Sequence, residues 1–224
     1  KTITTTCAGR TDRGVHALNQ IIHFDSDVPR SIDNWQRGSN TLLPHSMHIH
    51  WLTKVPMDFH ARYCASQREY RYLIYCSPHK PLLAQDHLLW AKKPLNVEAM
   101  HAASKFWLGS HDFSTFRAAD CQAKTSQRNM HAIEFHQHGS LLKITFKANA
   151  YLYHMIRLMV AALINIGNAE KPISWAEEIL LAKDRQQLGP MVSANGLYLC
   201  QINYPQKWNL PMQIEHWPLL NLGE

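Results

Sequence analysis

The segment from Leu152 to Ile166 constrains everything around it. Its fifteen residues hold one charged side chain, Arg157. On a helical wheel the rest is apolar all round: Tyr153, Val160 and Ile164 fall beside Arg157, while Ile156, Met159 and Leu163 cover the other side. A helix without a polar face belongs in a protein interior. A bilayer span needs about 20 apolar residues, so this run is too short for one, and His154 and Arg157 interrupt it. The chain must therefore build layers around this helix. It must also bring an anion to Arg157, because an unpaired buried guanidinium costs several kcal/mol. The alternative is an arginine that snorkels to solvent from near a helix end.

The 224 residues are enough to bury a substantial core, and 46% hydrophobic against 18% charged residues excludes a disordered chain. Strands are expected at Thr2 to Cys7, Gln20 to Phe24, Met47 to Val55, Ala65 to Tyr75 and Leu197 to Tyr204. A hairpin is expected from Asn129 to His136 and Leu141 to Ala148 around His138-Gly139. Helices are expected from Ser31 toward Leu43, from Asn96 to Leu108 with Gly109 as its stop, from Asn149 to Gly167, and from Ser174 to about Lys183. Lys80 to Pro94 reads as a connector, and the tail from Trp208 to Glu224 has no periodicity. Strands and helices in this mixed order predict an α+β fold with a division near residue 95, giving halves 1–95 and 96–224.

Several acids could supply the anion for Arg157, and Asp12 is the one already set in an activated-looking loop. In Ala8-Gly9-Arg10-Thr11-Asp12-Arg13-Gly14-Val15-His16-Ala17, Asp12 stands between two glycines and two arginines, in a turn flanked by short apolar segments. Cations this close in sequence favour the charged form of a carboxylate, the form a nucleophile or base needs. A plain Asx-turn aspartate is the bland explanation; the anion demand of Arg157 favours a pair between Asp12 and Arg157. The blocks Phe59-His60-Ala61-Arg62 and Arg68-Glu69-Tyr70-Arg71-Tyr72 interleave aromatics with arginines, a pattern that can stack a base and hold phosphates and is equally common in a half-buried strand with a solvated basic face. Through Arg157 the chain carries 19 Lys and Arg against 11 Asp and Glu, and beyond it 4 against 6, so the basic excess lies early and suits a polyanionic partner.

Other chemistries are weaker. The five cysteines are scattered without a CxxC pair, which predicts reduced thiols and a cytoplasmic protein. The chain opens at Lys1 with no signal-peptide pattern, and no membrane segment is expected. His48 and His50 share a strand face, but no third ligand has metal-site spacing, so no metal is expected. His111, Asp112 and Ser114 contain the letters of a hydrolase triad without a GxSxG elbow.

Five segments in one order resemble the TruA-type tRNA pseudouridine synthases: AGRTDRGVHA at 8–17, FHARYCASQREYRY at 59–72, HDFSTFRA at 111–118, NAYLYHMIRLMVAAL at 149–163 and GLYLCQINYP at 196–205. The resemblance implies the pseudouridine synthase fold, two α/β halves with mainly antiparallel sheets flanking a central catalytic cleft. It implies isomerisation of uridine to pseudouridine at positions 38, 39 and 40 of the tRNA anticodon arm, with no cofactor and as a homodimer. Asp12 matches the family's catalytic aspartate, Tyr70 the tyrosine that packs on the target base, Arg157 the arginine that pairs with the aspartate, and Arg10 an arginine linked to flipping the nucleotide. With tRNA as partner, Arg10, Arg13, His16, Arg62, Arg68, Arg117 and Arg128 are the expected RNA-binding residues. Family members place a strand, a GWQ-containing segment and a helix ahead of the catalytic loop. The sequence opens directly at the loop's leading strand: if that region is truly missing, the first sheet is expected to lack a strand and some RNA-binding surface, and if it is only removed, function in the intact protein is expected to be unaffected. The segment Met191 to Asn195 departs from the family pattern and receives no role. The alternative function is a tRNA-binding fragment without turnover.

Overall fold

The computed structural model describes residues 3–211. Strands β1 (Thr6–Cys7) and β3 (Ile22–His23) form a small antiparallel pair, and β2 (His16–Ala17) between them joins a larger sheet. That sheet runs β2-β9-β4-β8-β7-β6, where β4 is Gln67–Cys76, β6 Gly109–Asp112, β7 Gln127–His138, β8 Leu141–Ala148 and β9 Leu197–Asn203. A short strand β5 (Leu89–Ala91) pairs in parallel with the end of β4. The β2–β9 pair is also parallel and every other ladder antiparallel, which gives the mainly antiparallel α+β architecture expected. Strands from both sides of residue 95 enter this one sheet, since β4 lies between β8 and β9.

Among the described residues four α-helices accompany the strands: α1 (Ile32–Leu42), α2 (Val97–Ser104), α3 (Met155–Gly167) and α4 (Trp175–Ala182). The main core joins Tyr70, Tyr72 and Ile74 of β4 and Leu197 and Leu199 of β9 to the apolar side chains of α2, α3 and α4. The alternating residues Leu73, Tyr198 and Cys200 form a separate cluster with Leu18, Leu88 and Leu141 on the opposite sheet face. As its composition predicts, α3 is the most deeply set helix; Arg157, Ala161, Ile164 and Asn165 form its one partly exposed stripe, at helical spacing.

Gly196 sits where β9 and β5 meet along the same edge of β4. Its carbonyl accepts from the Leu73 N–H at 2.9 Å, and a Cβ at this position would stand 2.6 Å from the Leu73 carbonyl oxygen and 3.1 Å from the Leu89 nitrogen. Only glycine lets three backbones converge there.

Several expected elements take another form. Met47 to Val55 forms no strand, because α1 side chains hold its backbone: Gln36 donates to the Ile49 and His50 carbonyls, and Asn40 exchanges two hydrogen bonds with Ile49. The connector 80–94 contains β5. The leading strand shortens to Thr6–Cys7 because its partner β3 is only two residues long, and Thr2 lies outside the described residues. Asn149 does not cap α3. Its side chain accepts from the Asn129 and Ala150 N–H groups, so 149–154 form a separate turn and α3 starts after His154. The Ser174 hydroxyl contacts Glu178 rather than capping α4. Ser31 and Asn96 cap α1 and α2 as expected. Of the tail, residues 212–224 lie outside the described residues.

Candidate active site

The Asp12 loop bridges the two sheets, leaving β1 and returning as β2. Its entry is fixed by Ala8 N–H donating to Ile21 and by the Gln20 amide, which donates to the Gly9 carbonyl at 2.6 Å and accepts from the Gly9 N–H at 3.4 Å. The Val15 N–H then closes a turn onto the Asp12 carbonyl at 3.0 Å. Gly14, third in that turn, has φ +84°, a conformation that favours glycine. Gly9 passes close over Tyr70: a Cβ there would lie 3.5 Å from the Tyr70 hydroxyl.

This path carries Asp12 to the N-terminal end of α3. Arg157 Nη1 stands 3.7 Å from Asp12 Oδ2, with the two side chains 12% and 21% exposed. The anion expected beside Arg157, whose side chain is mostly but not fully buried, is thus supplied by the residue the sequence singled out. Arg157 is further fixed by its Nε–H, which donates to the Val192 carbonyl at 2.9 Å. The Tyr72 hydroxyl donates to the Ser193 carbonyl at 2.6 Å, and Gly14 packs against Ala194 and Asn195. The segment given no role from sequence therefore fixes Arg157 and Tyr72 through backbone carbonyls, which residue identity does not reveal, and sets the Ala194 and Asn195 side chains against Gly14 of the Asp12 loop.

Sequence reasoning missed His154. Its Nε2 stands 3.2 Å from the same Asp12 Oδ2, nearer than the arginine, with the ring 15% exposed. A signal existed, since His154 lies one helical turn before Arg157. Tyr70 is 8% exposed beneath the loop, edge-on to Tyr151 with ring centroids 5.1 Å apart. Burial pushes the Tyr70 hydroxyl pKa well up, with the Asp12 charge adding to the effect, so Tyr70 is a neutral phenol beside the carboxylate.

The expected RNA-binding residues divide. Arg10 is exposed and donates to Gln122 at 2.9 Å, while Arg13 and Arg62 are exposed, the latter over the Tyr63 ring at 5.8 Å. Arg68 corrects its expectation. It is 8% exposed, and its guanidinium donates to the carbonyls of Ala65 at 3.0 Å, Asn149 at 2.7 Å, Ala8 at 3.2 Å and Arg62. It clamps the segments around the site and has no face left for a phosphate. His16 lies on the other side of the sheet from Tyr70, stacked on Tyr198 at 4.7 Å and bonded to the Asp86 carbonyl, so the structure does not bring it to Asp12. Arg117 donates to the Cys121 and Ala123 carbonyls and Arg128 to those of Thr125 and Gln127, which shapes the loop that carries Gln122. Burial lowers the pKa of Arg128, and Arg117 and Arg62 add to this by repulsion, which marks the three as neighbours.

The rival chemistries lack geometry. The Ser114 hydroxyl donates directly to Asp112 at 2.6 Å, and the His111 ring engages the Leu108 carbonyl, so no histidine lies between acid and hydroxyl. His48 and His50 pack edge to face at 5.4 Å, and among the described residues no group of three His, Cys, Asp or Glu is placed to hold a metal ion. The five cysteines are free, and no helix among the described residues is long and apolar enough to cross a membrane.

A family model described as tRNA pseudouridine synthase matches residues 102–205. The chain is 43% identical over 215 residues to the tRNA pseudouridine synthase A of Herminiimonas arsenicoxydans, covering 94% of this chain and 78% of that protein. It is 41% identical over 209 residues to that of Alcanivorax borkumensis (93% and 78% covered) and 42% identical over 208 residues to that of Xylella fastidiosa (93% and 81% covered). With identity at this level over most of each relative, and an aspartate paired to an arginine where the motifs place them, the chain belongs to the tRNA pseudouridine synthase A family.

Proposed function

We propose that Asp12 is the reacting group in the isomerisation of uridine to pseudouridine, and that the target uridines are those at positions 38, 39 and 40 of the tRNA anticodon stem-loop. The chain is an isomerase acting on tRNA uridines, as its family membership establishes. The observation that carries the assignment is the Asp12 carboxylate, presented by a glycine-flanked turn and facing Arg157 and His154.

A uridine inside a stacked arm is out of reach of any side chain, so it must leave the stack, at a cost of about a few kcal/mol. Exposed Arg10 and Arg13 lie on the Asp12 loop itself, where they meet the strand as the base departs, and Arg10 fills the vacated space. Tyr70, kept neutral, offers an aromatic surface to the uracil. Asp12 then acts on the nucleotide, at the ribose or at the base. The bond from C1′ to N1 breaks, the uracil turns, and C1′ joins C5. C5 gives up its proton and N1 gains one, so the conversion needs no oxidant or reductant. Arg157 holds the carboxylate in place during these steps.

The two halves, 1–95 and 96–224, form the walls of the cleft in this reading, and the enzyme works as a cytoplasmic homodimer. The test is incubation with unmodified tRNA and mapping of pseudouridine at single-nucleotide resolution. Product is expected at 38–40 with the native chain. Asp12→Asn should bind tRNA and form none; turnover by that variant refutes the role of Asp12, and binding without product by the native chain leaves the tRNA-binding alternative.

A further inference from the structure

We infer that His154 is a positioning residue for Asp12, engaging Oδ2 together with Arg157 so that Oδ1 is the oxygen presented to the nucleotide. The inference rests on the reading of Asp12 as the reacting group. Both side-chain contacts converge on one oxygen, at 3.2 Å from His154 and 3.7 Å from Arg157. A carboxylate only accepts, so the ring nitrogen facing it carries the proton when the imidazole is neutral.

The backbone is arranged to deliver this ring. His154 has φ +62°, a left-handed conformation that is strained in a residue with a side chain. Its carbonyl accepts from the Leu158 N–H at 3.1 Å, so the same residue ends the preceding turn and starts α3. Histidine thus reaches the Asp12 side of the helix one turn before Arg157. The ring lies flat on Tyr153, with centroids 3.7 Å apart and planes at 26°. Tyr153 is pinned in turn, its carbonyl accepting from the Ala118 N–H and its N–H donating to Cys121 Sγ. The imidazole is therefore oriented by packing, as a positioning group must be.

Four charged groups face the ring: Asp12 from the catalytic loop, Arg157 from α3, Asp120 from the loop after Arg117, and Arg185 from the turn after α4. Burial lowers the His154 pKa below its usual 6.5, Arg157 and Arg185 act in the same direction, and Asp12 and Asp120 oppose them. The ring is neutral at pH 7. Protonation at lower pH places a second cation on Oδ2 and makes the carboxylate a poorer nucleophile. Turnover should therefore fall through an acid limb centred below 6.5, the ordinary histidine value.

The test is single-turnover pseudouridine formation on unmodified tRNA from about pH 5 to pH 8, with tRNA affinity and melting temperature measured in parallel. His154→Asn tolerates the left-handed backbone but is too short to reach Oδ2. It should slow turnover about tenfold to a hundredfold with tRNA affinity retained. His154→Gln can reach with its amide, so it should recover part of the rate, and in both variants the acid limb should be lost. Native rates in His154→Asn, or an acid limb with the native midpoint in both variants, overturn the proposal. If the native chain forms product and Asp12→Asn does so as well, the reading of Asp12 fails first and the positioning role falls with it.

Discussion

Replacing Arg68 by methionine tests the clamp, because it keeps the apolar stem and removes only the guanidinium. Four carbonyls then lose their donor, those of Ala8, Arg62, Ala65 and Asn149. The bond to Ala8 is fully buried, so its oxygen is left without water and costs about 1–3 kcal/mol. The other three are partly buried and can rehydrate, at about 1 kcal/mol each. Against this, the variant no longer desolvates a charge, a burial cost strong enough to lower the guanidinium pKa in the native protein. The net destabilisation is about 3 kcal/mol, which for a domain of this size lowers the melting temperature by about 6–12 °C. Arg68→Lys keeps the charge without the planar fork and should fall between the two. Thermal unfolding in matched buffer measures this. A variant melting within about 2 °C of the native chain would behave like an ordinary surface substitution and refute the clamp.

Other perturbations separate the loop, the sheet and the surface. Gly14→Ala forces a side chain into φ +84° and should cost about 1–2 kcal/mol and reduce turnover more than tRNA affinity, as unfolding and single-turnover assays can show. Gly196→Ala drives a Cβ toward two backbones and should lower stability by about 1–3 kcal/mol, read from denaturant midpoints. Arg157→Leu leaves Asp12 without its cation and should lose about a hundredfold or more in turnover, with tRNA affinity as the control. In salt titrations of tRNA affinity, Arg10→Ala, Arg13→Ala and Arg62→Ala should each reduce the log–log slope by about 0.7–0.9, whereas Arg68→Met should leave it unchanged.

What the sequence disclosed was whatever depends on burial and period. The apolar α3 had to be interior, so Arg157 needed an anion, and Asp12 stands 3.7 Å away. The hairpin of β7 and β8 and the Ser31 and Asn96 caps follow from local chemistry and appear as expected. What stayed hidden depends on partners distant in sequence. Met47 to Val55 had strand character, but side chains of α1 took its backbone groups. β5 has three residues, too few to show a period, and exists because the end of β4 offers it an edge beyond β9. The spacing of His154 from Arg157 was legible, but the left-handed backbone angle at His154 was not.

The arginines show why counting charge overstates a nucleic-acid surface. Arg68, Arg117 and Arg128 are all expected RNA-binding residues, yet each donates from its guanidinium to main-chain carbonyls. A carbonyl ligand fixes a loop, and a carboxylate ligand fixes a reacting group; only an arginine without either is available to RNA as a full charge. By that division, and on the proposed function, Arg157 belongs to chemistry and Arg68 to architecture, while exposed Arg10, Arg13 and Arg62 are the ones proposed to meet the polyanion. These roles are linked physically. The Arg68 clamp holds Ala8, four residues before Asp12, to Asn149, five residues before His154. One buried guanidinium therefore sets the distance between the loop that carries the carboxylate and the helix end that carries both its partners.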